Sequence, residues 1–508
     1  MSGAKTLDDL LAHGVLDAVA LVAPETGVAT ARAELVDEVD ALARTFAAAG
    51  VQRGDAAAFV LPNGPECIKS MLAVASLGAA FAPLNPAYTS EECSFYIEDI
   101  DPRLVVVATG EGEAARAATP SGTALVDAAT GASGLLELSI AGTSVEPRAE
   151  RSSAEPDDIA LILHTSGTTS RPKQVPLLQR NLVASAITIA RFYELGPDDV
   201  SLCVMPLFHI HGLVASTLAA FAGGGSVVAP QRIAPRRVWQ QLSQHDVTWF
   251  SAGPTLHHML LDRAGDAKPP ASLRFTRSCS SALSPALFER AEATYGVPML
   301  EAYGMTEASH QMSSNPLPPG ERIVGSVGVS TGTEIRIADA SGSFLGVGES
   351  GEVCIRGPGV TPGYLENPEA NDASFFDGWF RTGDQGVLDE NGYLTLVGRL
   401  KEMILRGGEN ISPLEIEEVL LAHPEVDEAV AFGIADEKYG EIVGAAVSLS
   451  GEASEAELVE HCRERLSAFK IPAAVHVLDA IPRTATGKIQ RRRIADSIYP
   501  AGKPQMGG

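Results

Sequence analysis

The sequence has few cysteines, a deficit of basic residues and no long apolar run. Its six cysteines are scattered over 508 residues with no C-x-x-C pair, which argues against a disulfide framework or a cysteine-based zinc site. No apolar run reaches the roughly 18–20 residues that a membrane span requires. The first residues lack a basic-then-apolar leader pattern, and the last ones carry no peroxisomal address. We therefore expect a cytoplasmic protein with reduced thiols and no membrane span.

Basic residues are outnumbered, with 38 Lys and Arg against 64 Asp and Glu, so the formal net charge is −26. This charge disfavours nonspecific binding to nucleic acids and to anionic membranes, because their phosphates are repelled. The negative net charge does not exclude a nucleotide substrate, since a local loop rich in hydrogen-bond donors can outweigh the protein's overall negative electrostatic field. We expect small-molecule partners and no nucleic acid, and composition leaves the oligomeric state open.

The length of 508 residues exceeds what one hydrophobic core supports and predicts two or three domains. Up to about residue 160, helical and strand patterns alternate, which favours a parallel sheet covered by helices. Segment 108–155 lacks a clear pattern and is interpreted as surface excursions. A second alternating unit is predicted over 201–300, and short β-rich pieces from residue 325 predict a β-rich subdomain of the same lobe.

The chain is predicted to divide into two domains at a candidate hinge, residues 398–401. Beyond this hinge, helix and strand patterns continue for about 100 residues, a normal domain size. We predict an α/β protein whose large N-terminal domain of layered sheets and helices covers 1–398, followed by a small, mobile α+β domain at 399–508. The predicted helices of the large domain include 33–49, 65–78 and 179–190, and the predicted strands include 56–61, 79–84, 104–107 and 159–163.

Two lysine-containing segments carry the first functional signal. Segment 165–173 reads TSGTTSRPK, and such a hydroxyl-rich loop supplies backbone N–H and hydroxyl donors for a polyphosphate. Lys488 ends the segment PRTATGK at 482–488, far along the chain. That lysine can neutralise charge on the same phosphates only if distant parts of the chain meet. The pair predicts a two-lobed protein that acts on ATP.

Six ordered motifs connect the chain to a known family. With them, residues 30–495 resemble the adenylate-forming acyl-CoA synthetases, two-domain ligases related to firefly luciferase and to peptide-synthetase adenylation domains. Segments RSCSSAL at 277–283 and TEASHQMSSNP at 306–316 are similar to the oxalyl-CoA synthetase branch. The six motifs are 165–173, PLFH at 206–209, YGMTE at 303–307, WFRTGD at 379–384, GRLKEMI at 398–404 and 482–488.

The resemblance implies a two-step reaction. A carboxylate attacks the α-phosphate of MgATP to form an acyl-adenylate and pyrophosphate, and coenzyme A thiolate then displaces AMP. The residues implied to be catalytic are Lys488, Glu307, Thr168 and His209, and Glu307 is also the implied Mg²⁺ ligand. Tyr303 is expected to stack on adenine. Asp384 and Arg399 are expected to contact the ribose. The residues implied to bind the nucleotide or coenzyme A are Thr165, Ser166, Gly167, Thr168, Thr169, Lys173, Tyr303, Thr306, Asp384, Arg399, Gly407 and Gly408.

The family also implies a moving C-terminal domain with Lys401 as its hinge. Rotation would withdraw Lys488 and bring 406–408 to the incoming thiol. The acyl pocket is expected to be lined by His209, Ser280, Ser281 and His310, groups that suit a second carboxylate better than an alkyl chain. His310 would donate to that carboxylate or carry positive charge beside it. The competing interpretations are that His209 only gates the tunnel and that His310 is structural, as we expect for His211, His257 and His258.

Two positions depart from the family pattern, since Ser170 and Gln174 stand where glycine is usual. A side chain there is expected to strain or stiffen the phosphate loop. The sequence therefore predicts a CoA ligase for a short dicarboxylic acid, with oxalate first. A ligase for a medium-chain or aromatic acid is an alternative that shares every nucleotide motif. A non-catalytic adenylate-binding protein is the other, favoured only by the altered loop.

Overall fold

The computed structural model describes residues 3–131, 136–148, 150–165, 172–407, 409–483 and 489–500, with residue 410 described by its backbone alone. A π-helical segment spans His211–Leu218, and short 3-10 turns span Thr306–Ala308 and Leu400–Glu402. The α-helices are α1 (Leu7–Leu11), α2 (Arg32–Ala48), α3 (Pro65–Ser76), α4 (Ser90–Ile100), α5 (Glu113–Ala118), α6 (Gln179–Phe192), α7 (Ala219–Gly223), α8 (Pro235–Gln244), α9 (Pro254–Asp262), α10 (Pro285–Tyr295), α11 (Pro368–Ser374), α12 (Pro413–Leu421), α13 (Glu455–Arg463) and α14 (Arg491–Ile498).

The β-strands form four sheets within the described residues. In chain order they are β1 (Val19–Ala23), β2 (Val28–Ala31), β3 (Ala56–Val60), β4 (Ala80–Pro83), β5 (Leu104–Ala108), β6 (Ala124–Thr130), β7 (Leu136–Ile140), β8 (Thr143–Ser144), β9 (Ile159–Thr165), β10 (Lys173–Leu178), β11 (Val200–Leu202), β12 (Ser226–Val228), β13 (Trp249–Ala252), β14 (Phe275–Ser278), β15 (Met299–Met305), β16 (His310–Ser314), β17 (Val329–Ser330), β18 (Glu334–Ala338), β19 (Gly351–Arg356), β20 (Phe375–Phe376), β21 (Trp379–Leu388), β22 (Leu394–Arg399), β23 (Ile404–Arg406), β24 (Glu409–Ile411), β25 (Val426–Asp436), β26 (Gly440–Leu449) and β27 (Val475–Val477).

Two large sheets make up most of the N-terminal part. The first has the order β17-β16-β15-β14-β13-β11-β12-β1-β2, and the second has the order β10-β9-β4-β3-β5-β6-β7-β8. Neighbouring strands from β11 to β15 run parallel, as do β4, β3, β5 and β6. Strand β5 reads LVVVA and is buried on both faces, which is typical of a parallel strand with layers on either side.

The largest hydrophobic core lies between these sheets and includes helices α2, α3, α6 and α7. Helix α2 shows why the sequence forms it: Leu35, Val39 and Phe46 repeat at helical spacing and are all buried. The Glu34 side chain accepts a hydrogen bond from the Ala31 N–H at 3.0 Å, which satisfies one free donor of the first turn. The predicted α/β class with layered sheets and helices is confirmed.

Segment 108–155 corrects the sequence prediction. Instead of surface excursions, its described residues contain α5 and strands β6, β7 and β8, which extend the second sheet at one edge. Strand β6 pairs in parallel with β5, and β7 returns antiparallel to β6. The pattern was missed because β6 is buried only at Val126 and Ala128 and its other residues are half-buried or exposed. With only two buried positions, β6 carries a weaker hydrophobic signal than the fully buried β5.

A third sheet follows in the region that was predicted to be β-rich, with the order β18-β19-β21-β20 and β22 paired to β21. The fourth sheet contains β23 to β27, and it has a separate core that includes Ile404, Ile416, Val443 and Leu458. The predicted division at 398/399 falls at the end of β22 and stays a prediction. None of the described helices has the length and hydrophobicity that a bilayer crossing requires.

Candidate active site

The candidate site is a cleft between the first sheet and the C-terminal α+β module, and it includes residues from both. Strands β11, β13, β14 and β15 are parallel neighbours, so their carboxyl ends meet along one edge. Ligands of open α/β sheets bind at such edges. Residues that line this cleft include Lys173, His209, Ser280, Tyr303, Glu307 and Asp384 from the large part, and Arg399, Glu418, Asp427, Arg483 and Ile489 from residues 399–508.

The base of the phosphate loop is a β-hairpin. Thr165 and Lys173 face each other across the antiparallel pair β9 and β10. Strand β10 was not predicted, because the sequence suggested only a strand that runs into the loop. Burial, then the nearby charge of Lys401, lowers the pKa of Lys173, whose Nζ lies 4.4 Å from the centre of the Tyr364 ring. The predicted loop residues Ser166, Gly167, Thr168, Thr169 and Ser170 lie outside the described residues.

Gln174 does not show the strain that its departure from glycine suggested. It is an ordinary strand residue opposite His164, and it is not among the residues with positive φ. Its Nε2 donates to the Asp99 carbonyl at 2.6 Å. Gln174 therefore anchors β10 instead of distorting it, and the expectation of strain at this position is wrong.

Glu307 lies in the 3-10 turn directly after β15, together with Thr306. Its side chain is buried, and Oε1 accepts a hydrogen bond from the Tyr364 hydroxyl at 2.9 Å. Among the described residues, no group of three or more His, Cys, Asp or Glu could hold a metal ion. A single carboxylate near Lys173 nevertheless fits Mg²⁺, which is commonly held by one or two carboxylates plus substrate phosphates and waters.

Tyr303, Asp384 and Arg399 form one connected group in the cleft. The Tyr303 hydroxyl donates to Asp384, and Arg399 Nε forms an ion pair with the same carboxylate at 3.0 Å. Burial, reinforced by Asp384, raises the pKa of Tyr303 well above its usual value, so the phenol stays protonated. The structure thus brings together three residues that lie far apart in the sequence.

The predicted hinge residue Lys401 lies exposed in the 3-10 turn between β22 and β23 and lines the cleft. Gly407 has a φ of +60° and donates its N–H to the Tyr439 carbonyl at 2.8 Å. A contact between the two parts of the chain is made by His258, whose Nε2 lies 3.2 Å from Asp427 Oδ1. Gly408 and Lys488 lie outside the described residues.

The four predicted acyl-pocket residues all line the cleft. His209 and Ser280 are half-buried, Ser281 is exposed and His310 is buried. Ser280 and His310 have φ values of +82° and +101°, a region that non-glycine residues rarely adopt. Such backbone geometry persists where the surrounding structure imposes it, often at functional sites.

Two residues beneath this pocket were missed as site residues. Arg277, on β14, is fully buried, and His211, at the start of the π-helical segment, lies 3.0 Å from the Ser280 hydroxyl through Nδ1. The nearby His257 remains structural, because it bonds the Arg277 carbonyl at 2.9 Å. Arg277 begins the RSCSSAL segment at 277–283, and His211 follows His209 by two residues. Both residues therefore lie in or next to motifs that the sequence already indicated.

Both buried imidazoles of this group are neutral. Burial, followed by the positive charge of Arg277, lowers the pKa of His211 and of His310 well below the usual histidine value. A neutral imidazole can donate one hydrogen bond but carries no charge. Of the two roles considered for His310, the lowered pKa therefore favours donation of a hydrogen bond over a positive charge.

Glu301, on β15, is a further buried acid at the cleft that sequence reasoning missed. Its carboxyl group accepts a hydrogen bond from the Leu283 N–H at 3.2 Å, and Oε2 has no described partner. Burial, together with the charge of Glu418, raises its pKa to about 8. At neutral pH this side chain is therefore largely protonated and contributes little negative charge to the cleft.

The fold and its cleft are those expected of an adenylate-forming enzyme, and the family comparison agrees. Residues 11–365 match the AMP-binding enzyme family, and residues 415–488 match the AMP-binding enzyme C-terminal domain. The chain belongs to this family and is an AMP-forming acyl-CoA synthetase, with ATP and coenzyme A as substrates.

Individual relatives are similar over nearly the full length. The chain is 46% identical to the oxalate–CoA ligase of Arabidopsis thaliana over 90% of each chain. It is 42% identical to the oxalate–CoA ligase of Saccharomyces cerevisiae over 95% of each. The crystal structure of ATP-bound MatB from Rhodopseudomonas palustris superposes with a TM-score of 0.89 at 30% identity, covering 98% of this chain and all of that one.

Proposed function

We propose that this protein joins oxalate, or another short dicarboxylic acid, to coenzyme A in two steps through an enzyme-bound acyl-adenylate. In the first step a carboxylate oxygen bonds to the α-phosphorus of ATP and the bond to the β-phosphate oxygen breaks. In the second step the coenzyme A thiolate bonds to the acyl carbon and AMP leaves. Both steps bring anions together, so cations and oriented donors are required in the cleft.

The described residues support a nucleotide bound across the cleft. Thr165 and Lys173 are paired at the hairpin, where they would contact the phosphate end of the nucleotide, and Glu307 lies within the same cleft lining. Glu307 would hold Mg²⁺, which supplies charge neutralisation on the phosphates. Asp384 would accept from the ribose hydroxyls, Arg399 would donate to the ribose, and Tyr303 would stack on the adenine. The loop hydroxyls, including Thr168, would complete the phosphate contacts.

The proposed second step uses rotation of the residues after 398 about Lys401. In the adenylating arrangement Lys488 would bridge the carboxylate and the α-phosphate. After rotation, Arg406 and the glycines that follow it would face the pantetheine thiol, where small residues allow close approach. The exposed position of Lys401 in a short turn between two sheets suits a hinge, since few contacts oppose a change in its backbone angles.

The observation that favours a short dicarboxylic acid is the chemistry of the pocket. Its lining carries the hydroxyl groups of Ser280 and Ser281 and the imidazoles of His209 and His310. A pocket for a long alkyl chain would be lined mostly by apolar side chains. The identity to two oxalate–CoA ligases supports the same assignment.

A pyrophosphate-release assay with ATP and a panel of acids tests this proposal. We expect oxalate to give the highest kcat/KM, malonate a lower value, and octanoate and benzoate very little. Strong preference for octanoate or benzoate would refute the short-dicarboxylate assignment while leaving the enzyme class intact. If no acid supports exchange of pyrophosphate into ATP, the catalytic proposal itself fails and adenylate binding without turnover remains.

A further inference from the structure

Arg277 is a fully buried cation directly below the acyl pocket. Within the described part of the chain, no carboxylate forms an ion pair with it, and its contacts are neutral groups instead. Its Nε donates to the Tyr193 hydroxyl at 2.9 Å, Nη1 donates to Ser251 Oγ at 2.8 Å, and Nη2 lies 3.4 Å from His310 Nδ1. A buried charge without a counter-ion is unfavourable, so its presence calls for an explanation.

The first contact chain leads from Arg277 to Ser280. A guanidinium group only donates, so Ser251 Oγ accepts from it and directs its own proton to His211 Nε2, 2.6 Å away. Arg277 Nη1, which can only donate, also faces this same Nε2 at 3.5 Å, so a proton on Nε2 would point toward its hydrogens and is disfavoured. His211 Nδ1 therefore carries the hydrogen and donates to Ser280 Oγ at 3.0 Å. The Ser280 hydroxyl hydrogen is then left to donate into the cleft.

The second contact chain is shorter and leads to His310. Because Arg277 Nη2 can only donate, His310 Nδ1 is the acceptor and the ring proton resides on Nε2. His310 lines the cleft, so its Nε2–H is the hydrogen available to a ligand. The 4.9 Å between the His211 and His310 ring centres places both chains at the same end of the pocket.

We propose that Arg277 is a positioning residue that makes the acyl pocket selective for an acid with a second anionic group. It fixes Ser280 and His310 as donors, and it leaves one buried positive charge that a distal carboxylate neutralises. An acid without that second charge leaves the guanidinium uncompensated, which discriminates against it. This inference rests on the proposed function, namely that the acid is a short dicarboxylic acid.

The test compares oxalate with oxamate, which has the same shape but a neutral amide in place of one carboxylate. Arg277→Met removes the charge and both contact chains while it retains an apolar side chain of similar reach. The KM for oxalate is expected to rise by roughly 10- to 100-fold, the range for lost hydrogen bonds to a charged group. The KM for ATP is expected to stay within about twofold, and the preference for oxalate over oxamate should largely disappear.

Arg32→Met is the matched control, because Arg32 is also fully buried and its guanidinium donates to the Leu11 and Gly225 carbonyls, remote from the cleft. Arg32→Met is expected to keep the wild-type ratio of kcat/KM for oxalate to kcat/KM for oxamate, called the oxalate-to-oxamate ratio below, even if its thermal stability falls. Ser251→Ala is a smaller change that cuts only the chain to Ser280, and it should lower the ratio several-fold in a folded protein. In ¹⁵N-histidine spectra, the tautomer of His310 should be Nε2–H in the wild type and should change or become mixed in Arg277→Met.

The outcomes separate the inference from the function on which it depends. If the wild type uses oxalate and both Arg277→Met and Ser251→Ala retain its ratio to oxamate, Arg277 is only a structural residue and the inference is overturned. If Arg277→Met does not fold, the oxalate-to-oxamate ratio of Ser251→Ala alone decides whether the inference stands. If the wild type itself prefers monocarboxylic acids, the proposed substrate fails first and the inference with it. Partial recovery of the ratio in Arg277→Lys, which retains the charge without the forked geometry, would support the inference.

Discussion

Two glutamates near the end of β15 show how local surroundings separate residues of one type. Glu307 accepts from the Tyr364 hydroxyl beside the phosphate loop and is suited to hold a cation as a carboxylate. Glu301, six positions earlier, is 4% exposed, and its pKa is raised by burial to about 8. The same side chain is therefore expected to act as a metal ligand at one position and as a neutral hydrogen-bonding group at the other.

Glu307→Gln is expected to reduce adenylate formation by roughly 100-fold or more, because an amide is a poor Mg²⁺ ligand and the phosphate charge is then less well neutralised. Pyrophosphate exchange over a range of Mg²⁺ concentrations measures this effect. Glu301→Gln, assayed at pH 7, is the matched control and should keep most of the activity. Equal activity of wild type and Glu307→Gln would contradict the assignment of Glu307.

Glu301 also predicts a pH-dependent stability. Its ordinary pKa is 4.5 and its pKa in the folded protein is about 8. Between these values the folded state holds a proton that the unfolded state has released, so the free energy of unfolding falls as the pH rises. Glu301→Gln does not titrate and is expected to be more stable than the wild type by roughly 1–3 kcal/mol at pH 9.

Urea unfolding at pH 5, 7 and 9 measures that difference, which should narrow toward low pH. A constant difference between the two proteins at all three pH values would show that Glu301 does not titrate as proposed.

At the scale of elements, the strands on either side of segment 166–171 pair as a β-hairpin, of which only the first strand was predicted. Strands β9 and β10 pair from Thr165 opposite Lys173 to Ile159 opposite Leu178. Gln174 lies in this ladder and donates to the Asp99 carbonyl. The departure from the usual glycine is therefore accommodated by a strand position and a side-chain hydrogen bond.

Gln174→Gly is expected to lower the free energy of unfolding by about 1–2 kcal/mol, since it removes that hydrogen bond and places a flexible residue in a strand. The KM for ATP should not improve. Gln174→Ala separates the loss of the side chain from the gain in backbone freedom and should show the smaller stability loss. A glycine variant that binds ATP more tightly without losing stability would restore the view that Gln174 strains the loop.

At the scale of the whole molecule, the cleft exists because the small C-terminal module faces the edge of the first sheet. His258 and Asp427 meet across the two parts at 3.2 Å, and the residues on either side of 484–488, Arg483 and Ile489, line the same cleft as Glu307. Both observations suit an arrangement in which the C-terminal module approaches the nucleotide. The second arrangement that the proposed mechanism needs follows from rotation at Lys401.

The two half-reactions should separate in mutants. Lys488→Ala is expected to abolish adenylate formation but spare thioester formation from supplied acyl-adenylate. Lys401→Pro is expected to do the reverse, because proline at 401 fixes its own φ and restricts Leu400, which opposes rotation. Stopped assays of each half-reaction measure both. Equal loss of both half-reactions in both variants would defeat the hinge proposal.

Much of the fold was predictable because its signals are local. Predicted helix 33–49 corresponds to α2 at Arg32–Ala48, and predicted strand 104–107 lies within β5 at Leu104–Ala108, because a local apolar pattern is enough to identify each element. Strands β6 to β8 and the hairpin strand β10 escaped prediction. Strands β6 to β8 are buried at few positions, so their apolar pattern is weak. Strand β10 is buried from Val175 to Leu178, but Pro176 within it is atypical of a strand.

The sequence by itself determined the family and the nucleotide-binding class, because composition, motif order and local apolar spacing can be read without the fold. The environment beneath the acyl pocket was not. Arg277 meets His211 and Ser251 across separations of 66 and 26 residues. Arg277 and Ser251 lie on the neighbouring parallel strands β14 and β13, and His211 lies on the π-helical segment between β11 and β12. Only the packed sheet brings these groups within hydrogen-bond distance and removes water from around them, and that desolvation determines which imidazoles are neutral and where the unpaired positive charge lies.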